Sequence, residues 1–229
     1  MEFTKLSNRL DLVASFVPAG ARLLDVGSDH AYLPIALLQE SKIEAAIAGE
    51  VVEGPYQSAL QNVADNGLED KIEVRLANGL AAFEPTDCIS CITIAGMGGR
   101  LIADILAAGL EKLANVSRLV LQPNNREDEL RAWLVNHDFR IVDEAILEEN
   151  EKFYEILVVE KGSQELTAKE LRFGPYLMRE QAPAFVQKWS KEVEKLAFAL
   201  EQVPVENQSA RASLEERIAH IKEVLHVSK

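Results

Sequence analysis

In Leu23-Leu24-Asp25-Val26-Gly27-Ser28-Asp29-His30-Ala31-Tyr32-Leu33-Pro34-Ile35-Ala36-Leu37-Leu38 an apolar run ends on an acidic residue and a glycine turn, and a second apolar run begins at once. The first run, 21–26, reads as a short buried strand and the second, 32–40, as a helix, so the turn joins a β–α pair. The same alternation repeats down the chain. Strand patterns fall at 44–49, 72–76, 89–94 and 118–122, with helical segments near 55–66, 99–113 and 126–137. Five β–α repeats predict a doubly wound α/β sheet of parallel strands. Two further strands, 139–147 and 153–160, follow with no helix between them, as a hairpin adding antiparallel strands at one edge. Ahead of the first strand, Leu6, Leu10, Val13 and Val17 mark an amphipathic helix that Pro18-Ala19-Gly20 stops.

The pattern changes near Gly162-Ser163-Gln164, which divides the chain into 1–162 and a helical unit, 163–229. Thr167 and Glu170 form a capping-box signature. Trp189, Val193, Leu196, Leu200 and Val203 then recur at alternating four- and three-residue steps, Pro204 breaks the run, and Leu214, Ile218, Ile221 and Leu225 repeat it. Two such seams predict an antiparallel coiled-coil hairpin. Lys188, Lys191 and Lys195 fall opposite the first seam, as a basic stripe for RNA, a solvated helix face, or a face used in dimerisation.

Composition narrows the partners. Residues 1–161 carry the whole net charge of −13, whereas acidic and basic residues balance from 162 onward. An acidic domain is a poor non-specific binder of nucleic acid, so any RNA must be held by local basic patches. No apolar run approaches the roughly 20 residues that span a bilayer, and Met1-Glu2-Phe3-Thr4-Lys5 lacks the form of a signal peptide; a cytoplasmic protein is expected. Cys88 and Cys91 are spaced as C-x-x-C, but no further ligands lie near and Ile89–Ile94 has a strand pattern. Two core thiols, and no metal, are expected.

In an open α/β sheet, ligands bind beyond the carboxyl ends of the strands. There the sequence places Asp25-Val-Gly27-Ser28-Asp29-His30, then Gly49-Glu50, Asn78-Gly79 and Ala95-Gly96-Met97-Gly98-Gly99. Glu50 can accept hydrogen bonds from a ribose diol, and this set suits an adenosine-bearing cofactor. The G-x-G-x-x-G pattern of dinucleotide sites fails, because Asp29 stands where the second glycine belongs and would repel a pyrophosphate. S-adenosylmethionine carries a sulfonium and an ammonium, and an acidic turn suits it. The plainer readings are that Asp25 caps the turn, Glu50 is a solvated strand end, His30 is a helix-start residue and Tyr32 is packing.

Leu24-Asp-Val-Gly-Ser-Asp-His-Ala-Tyr-Leu-Pro34 resembles motif I of the bacterial tRNA adenine-22 N1-methyltransferases. Gly49-Glu-Val-Val-Glu-Gly-Pro55, Ile94-Ala-Gly-Met-Gly-Gly99, Leu121-Gln-Pro-Asn124, Leu6-Ser-Asn-Arg-Leu10, Arg172-Phe-Gly-Pro-Tyr-Leu177 and Phe185-Val-Gln-Lys-Trp189 resemble further blocks of that family. The resemblance covers nearly the whole chain; Ala77-Asn78 departs from it only in having alanine where glycine is usual. It implies a Rossmann-like methyltransferase domain with a C-terminal helical hairpin, S-adenosyl-L-methionine as cofactor, and tRNA as substrate. Asp25, Gly27, Ser28, Asp29, His30, Glu50, Val51, Asn78 and Gly79 would form the cofactor pocket, and Ala95, Gly96 and Met97 would line the transfer site. Gln122, Pro123 and Asn124 would hold the target base, with Asp29 stabilising the cationic product or accepting a proton. Arg9 would reach the methionine carboxylate or an RNA phosphate. A methyltransferase acting on a small molecule or protein, and an RNA-binding protein that has lost its cofactor, are the rival readings; oligomeric state stays open.

Overall fold

The structure, a computed structural model, describes residues 4–226. Helix α1 (Asn8–Ser15) is followed by strand β1 (Ala21–Val26), α2 (Tyr32–Gln39), β2 (Ile43–Glu50), α3 (Glu53–Asp65), β3 (Ile72–Leu76), β4 (Cys91–Met97), α4 (Gly99–Ala108), β5 (Arg118–Pro123) and α5 (Glu127–Val135). Strands β6 (Phe139–Glu149) and β7 (Lys152–Lys161) complete a seven-stranded sheet of order β3-β2-β1-β4-β5-β7-β6. The first five strands are parallel, and β7 runs antiparallel between β5 and β6. The expected elements are present, and the hairpin turns on Asn150 and Glu151, both with positive φ (52° and 64°). That pair of left-handed residues twists with the strands it joins.

Strand residues alternate between two cores because successive side chains leave opposite faces. Leu24, Val26, Ile47, Ile92, Ile94, Leu119 and Leu121 pack beneath α4 and α5. Leu23, Ala46, Ala48, Cys91 and Val120 pack beneath α1, α2 and α3. A parallel sheet covered on both faces needs such nearly continuous apolar strands. The order of strands reverses between β1 and β4, and the loops leaving those two strands part there and open a crevice.

The expected boundaries move most at β4 and α4. β4 begins at Cys91, not at 89, and runs on through Ala95-Gly96-Met97, with its pairing to β5 shifting between Ala95 and Met97. The expected loop is therefore the bulged end of a strand. Cys88 lies before β4 in a left-handed conformation and is exposed, so only Cys91 is a core thiol. The helix expected over 99–113 ends at Ala108, where Gly109 follows and a 3-10 turn takes over.

Beyond the sheet, α6 (Ala168–Phe173) starts on the Thr167–Glu170 capping box, and α7 (Pro175–Glu180) leads to α8 (Pro183–Gln202) and α9 (Gln208–His226). The last two pack as a hairpin, with Trp189, Leu196 and Ile221 on the seam as expected and Val224 added to it. This third core takes in Ile146 of β6, and Phe173 meets Trp189 edge-on at 4.5 Å between ring centroids, a geometry worth about 0.5–1.5 kcal/mol beyond burial.

Polar side chains also join the helical unit to the sheet. Arg131 of α5, fully buried, donates from Nε to Glu144 Oε1 (2.7 Å), from Nη2 to Glu155 and from Nη1 to the Leu171 carbonyl (3.1 Å). Lys188 of α8 donates to Glu155 Oε1 (2.7 Å) and Glu127 Oε1 (3.0 Å). The expectation that Lys188 faces outward is corrected: it lies about 100° around the helix from the seam's centre, and Glu155 of β7 and Glu127 of α5 cover that flank. Gly174 bends the chain over this cluster at φ 83°, and a Cβ there would lie 2.7 Å from Glu144 Oε2.

Candidate active site

The crevice is built from the ends of β1, β2, β4 and β5. Asp25 lies beneath it: Oδ1 accepts from Thr93 Oγ1 and Oδ2 from Ser28 Oγ, both at 2.6 Å. Burial pushes the Asp25 carboxyl up, against those two hydroxyl donors. With both oxygens engaged by hydroxyls, Asp25 braces β1 to β4 through Thr93 and ties down Ser28 in the turn above. Gly27 sits under Met97, and a Cβ on Gly27 would be 2.4 Å from the Met97 methyl. The Met97 side chain could yield, but the left-handed φ of 67° itself favours glycine at this turn.

Past Ser28, the residues Asp29, His30 and Ala31 all have left-handed φ (44°, 71° and 60°). Such conformations cost about 1–3 kcal/mol each outside glycine and concentrate at functional sites. Asn62 Nδ2 holds the bend by donating to the His30 carbonyl (3.0 Å). The bend projects the Asp29 side chain into solvent, 84% exposed, with His30 Nε2 at 3.4 Å from its Oδ1. Tyr32, expected to pack, is exposed beside His30.

Glu50 closes the crevice at the end of β2. It is 5% exposed, yet Oε1 has no hydrogen-bond partner among the described residues. Burial raises its carboxyl pKa, the Asp29 backbone N–H opposes that, and the charges of Asp25 and Asp29 add to the rise. A buried acceptor without a donor costs about 1–3 kcal/mol, so this atom is ready for a hydroxyl. Beside it Val51, Leu76, Ala77 and Asn78 line a recess of ≈ 420 Å³. Leu76 is 49% exposed; the sequence carries no signal that picks it out from the core leucines. Gly79 is buried under Ile105 and forms the floor of that corner.

Across the crevice, Gln122 Oε1 accepts from the Gly96 N–H (3.0 Å) and from Arg9 Nη1 (2.7 Å), while Nε2 donates to the Pro123 carbonyl (2.8 Å). Asn124 donates from Nδ2 to the Gly96 carbonyl (2.7 Å). Gln122 and Pro123 are buried, so the expectation that they touch a base is corrected: without exposed surface they hold the β4 bulge in place. Asn124 alone of the three is exposed. Arg9 comes from α1 to this network and lies over the Tyr154 ring at 5.5 Å, closer to the transfer end than to Glu50. From Asn124 a cleft of ≈ 850 Å³ runs to the helical unit, walled by Asn125, Lys152, Phe153, Tyr154, Arg172, Trp189, Lys191 and Lys195.

Among the described residues no group of three or more His, Cys, Asp or Glu side chains could hold a metal ion, and no helix is long and apolar enough to cross a membrane. The sheet order with β7 inserted antiparallel, the glycine turn after β1 and the carboxylate ending β2 define a Rossmann-like methyltransferase domain. The chain belongs to the TrmK family, tRNA (adenine(22)-N(1))-methyltransferase, whose family model matches residues 23–223. It is 39% identical to the Bacillus subtilis tRNA (adenine(22)-N(1))-methyltransferase over 98% of this chain and 99% of the relative. A Streptococcus pneumoniae protein is 67% identical, with a TM-score of 0.95 over 97% of this chain and 100% of that one. Its structure in complex with S-adenosyl-L-methionine gives a TM-score of 0.90 at 66% identity over 97% of this chain and 100% of that one.

Proposed function

We propose that this enzyme transfers the methyl group of S-adenosyl-L-methionine to N1 of adenine 22 in a bacterial tRNA, in the cytoplasm where that substrate is found. The observation that carries the reading is the buried, unpartnered Glu50 Oε1 beside the Val51–Leu76 recess at the switch point, in a chain of this family. When bound, the cofactor supplies an electrophilic methyl on a sulfonium. Glu50 accepts from ribose hydroxyls, Val51, Leu76 and Ala77 cover the adenine, and the Asn78 amide pairs with its edge. Gly27, held open by Asp25 and Ser28, lets the donor lie against backbone, with Met97 and Ala95 at its flank. The exposed Asp29 carboxylate and its neighbour His30 face the positive charge.

The target ring nitrogen has a free lone pair near neutral pH, so no strong base is needed and most of the acceleration comes from alignment, for which roughly 7–11 kcal/mol is available. Asn124 and Tyr154, at the mouth of the larger cleft, receive the base, and Asp29 offsets the charge of the product ring. Residues 163–229 with the β6–β7 hairpin hold the RNA. A chain that had lost its cofactor would have no use for Glu50 with an idle oxygen, which favours the enzyme over a binding protein. Incubation with labelled cofactor and an unmodified tRNA transcript, followed by mass spectrometry of the nucleosides and of nuclease fragments, tests the reading. N1-methyladenine at position 22 is expected; N6-methyladenine, or no transfer, refutes it.

A further inference from the structure

The cleft between the sheet and the helical unit is lined by five cations and by the carboxylates of Glu127, Asp128 and Glu192, and the cations differ in how they are satisfied. Lys152 has no ion pair among the described residues, but it is exposed and no aromatic ring holds it. Lys188 lies within 3.0 Å of Glu127 and 2.7 Å of Glu155; Lys191 is 3.5 Å from Glu148 and Lys195 3.5 Å from Glu192. Arg172, on the last turn of α6, has no ion pair and no hydrogen bond among the described residues. It is half-buried, with its guanidinium carbon 5.0 Å from the Phe173 ring centroid and 5.6 Å from that of Trp189. Aromatic faces hold the flat cation in place and leave its donors unspent. Its backbone is held as well, since Arg131 Nη1 pins the neighbouring Leu171 carbonyl (3.1 Å) and the capping box fixes the start of α6.

A guanidinium is permanently charged and presents a planar fork of donors. Burial and the nearby Arg217 both press against the charge on Arg172, and Glu192 and Asp128 relieve it only at a distance. Such a cation, partly stripped of water and lacking a carboxylate, is set up for an external anion. The fork matches two oxygens of a phosphate, and the cleft, of ≈ 850 Å³, reaches Asn124 at the transfer end. We propose that Arg172 is an anchor for a backbone phosphate of the tRNA, fixing the strand as it enters the transfer site. This rests on the tRNA reading above and adds to it a specific contact, in place of the lysine stripe that the helix periodicity suggested.

The experiment measures binding of an unmodified tRNA transcript by wild type, Arg172→Gln and Arg172→Lys over a series of salt concentrations, with cofactor affinity and melting temperature measured alongside. Loss of one phosphate contact should weaken tRNA binding by roughly tenfold and make the plot of log affinity against log salt shallower by about 0.7–0.9. Cofactor affinity should not change. Arg172→Lys keeps the charge and should restore the slope, with only part of the affinity because the bidentate fork is lost. Wild-type affinity and slope in Arg172→Gln would overturn the anchor, and so would weaker binding with a wild-type slope, which would mean that Arg172 acts only by packing on Trp189. Wild-type protein that neither binds nor methylates the transcript would overturn the functional reading itself, a result visible before any variant is made.

Discussion

Replacing Glu155 by Gln probes the polar cluster that ties the helical unit to the sheet. Glu155 is 1% exposed and accepts from both Arg131 and Lys188, the latter at 2.7 Å. The amide keeps the volume but removes the charge, and its NH2 must then face one of two buried cations. Arg131 retains Glu144, and Lys188 retains the partly exposed Glu127. Breaking a buried pair from one side costs about 3–5 kcal/mol. For a chain of this size each kcal/mol lowers Tm by roughly 2–4 °C, so a fall of roughly 6–20 °C is expected. The effect carries its own pH signature. Burial alone would push the Glu155 carboxyl up, but Arg131 and Lys188 outweigh it and hold it below the usual carboxylate value of 4.5. A carboxylate with a depressed native pKa stabilises the fold above its unfolded value and loses that contribution as pH falls through the native one. The difference between wild type and variant should therefore be full at neutral pH and close on acidification below 4.5. Thermal unfolding followed by circular dichroism at several pH values measures it. A Tm within roughly 2 °C of wild type at pH 7, or a gap that persists unchanged in acid, would refute the reasoning.

Glu50→Gln should weaken S-adenosyl-L-methionine by about 1–3 kcal/mol in calorimetry, as for loss of a charge-assisted hydrogen bond, while unchanged affinity would remove Glu50 from the pocket. Gly174→Ala sets a Cβ 2.7 Å from Glu144 Oε2 at φ 83° and should cost about 1–3 kcal/mol in denaturant unfolding; a neutral substitution would mean that the α6–α7 bend can shift freely. Native protein should expose one thiol to an aromatic disulfide reagent and denatured protein two, because Cys88 is exposed whereas burial pushes the Cys91 thiol up to about 12; two fast thiols in the native state would contradict the β4 boundary.

The order of strands and helices, and the residues at the strand ends, were legible because each depends on a local period or on a turn residue a few positions away. A short apolar run bounded by turn residues marks a buried strand, and the end of a parallel strand is where a ligand meets an open α/β sheet. Asp25, Gly27, Glu50 and Asn78 could thus be located as a set, and the helical hairpin followed from its two seams. What those residues do was another matter. Asp25 reads in sequence as a ligand or a cap with equal ease, and only its contact with Thr93, from a strand far along the chain, assigns both its oxygens. Gln122 looks like an exposed polar residue at a strand end, but Arg9 and the Gly96 N–H satisfy it below the surface. Lys188 loses its expected outward place for the same reason, and Arg172, to which the sequence gives no part, is the half-buried cation left without a carboxylate. Whether a cation is spent or free depends on which carboxylates distant elements bring within reach, here Glu127 and Glu155 against Lys188 and none against Arg172 among the described residues. Periodicity fixes the face of a helix relative to its own seam; it carries no information about which neighbour will cover the rest, and burial and charge pairing are decided there.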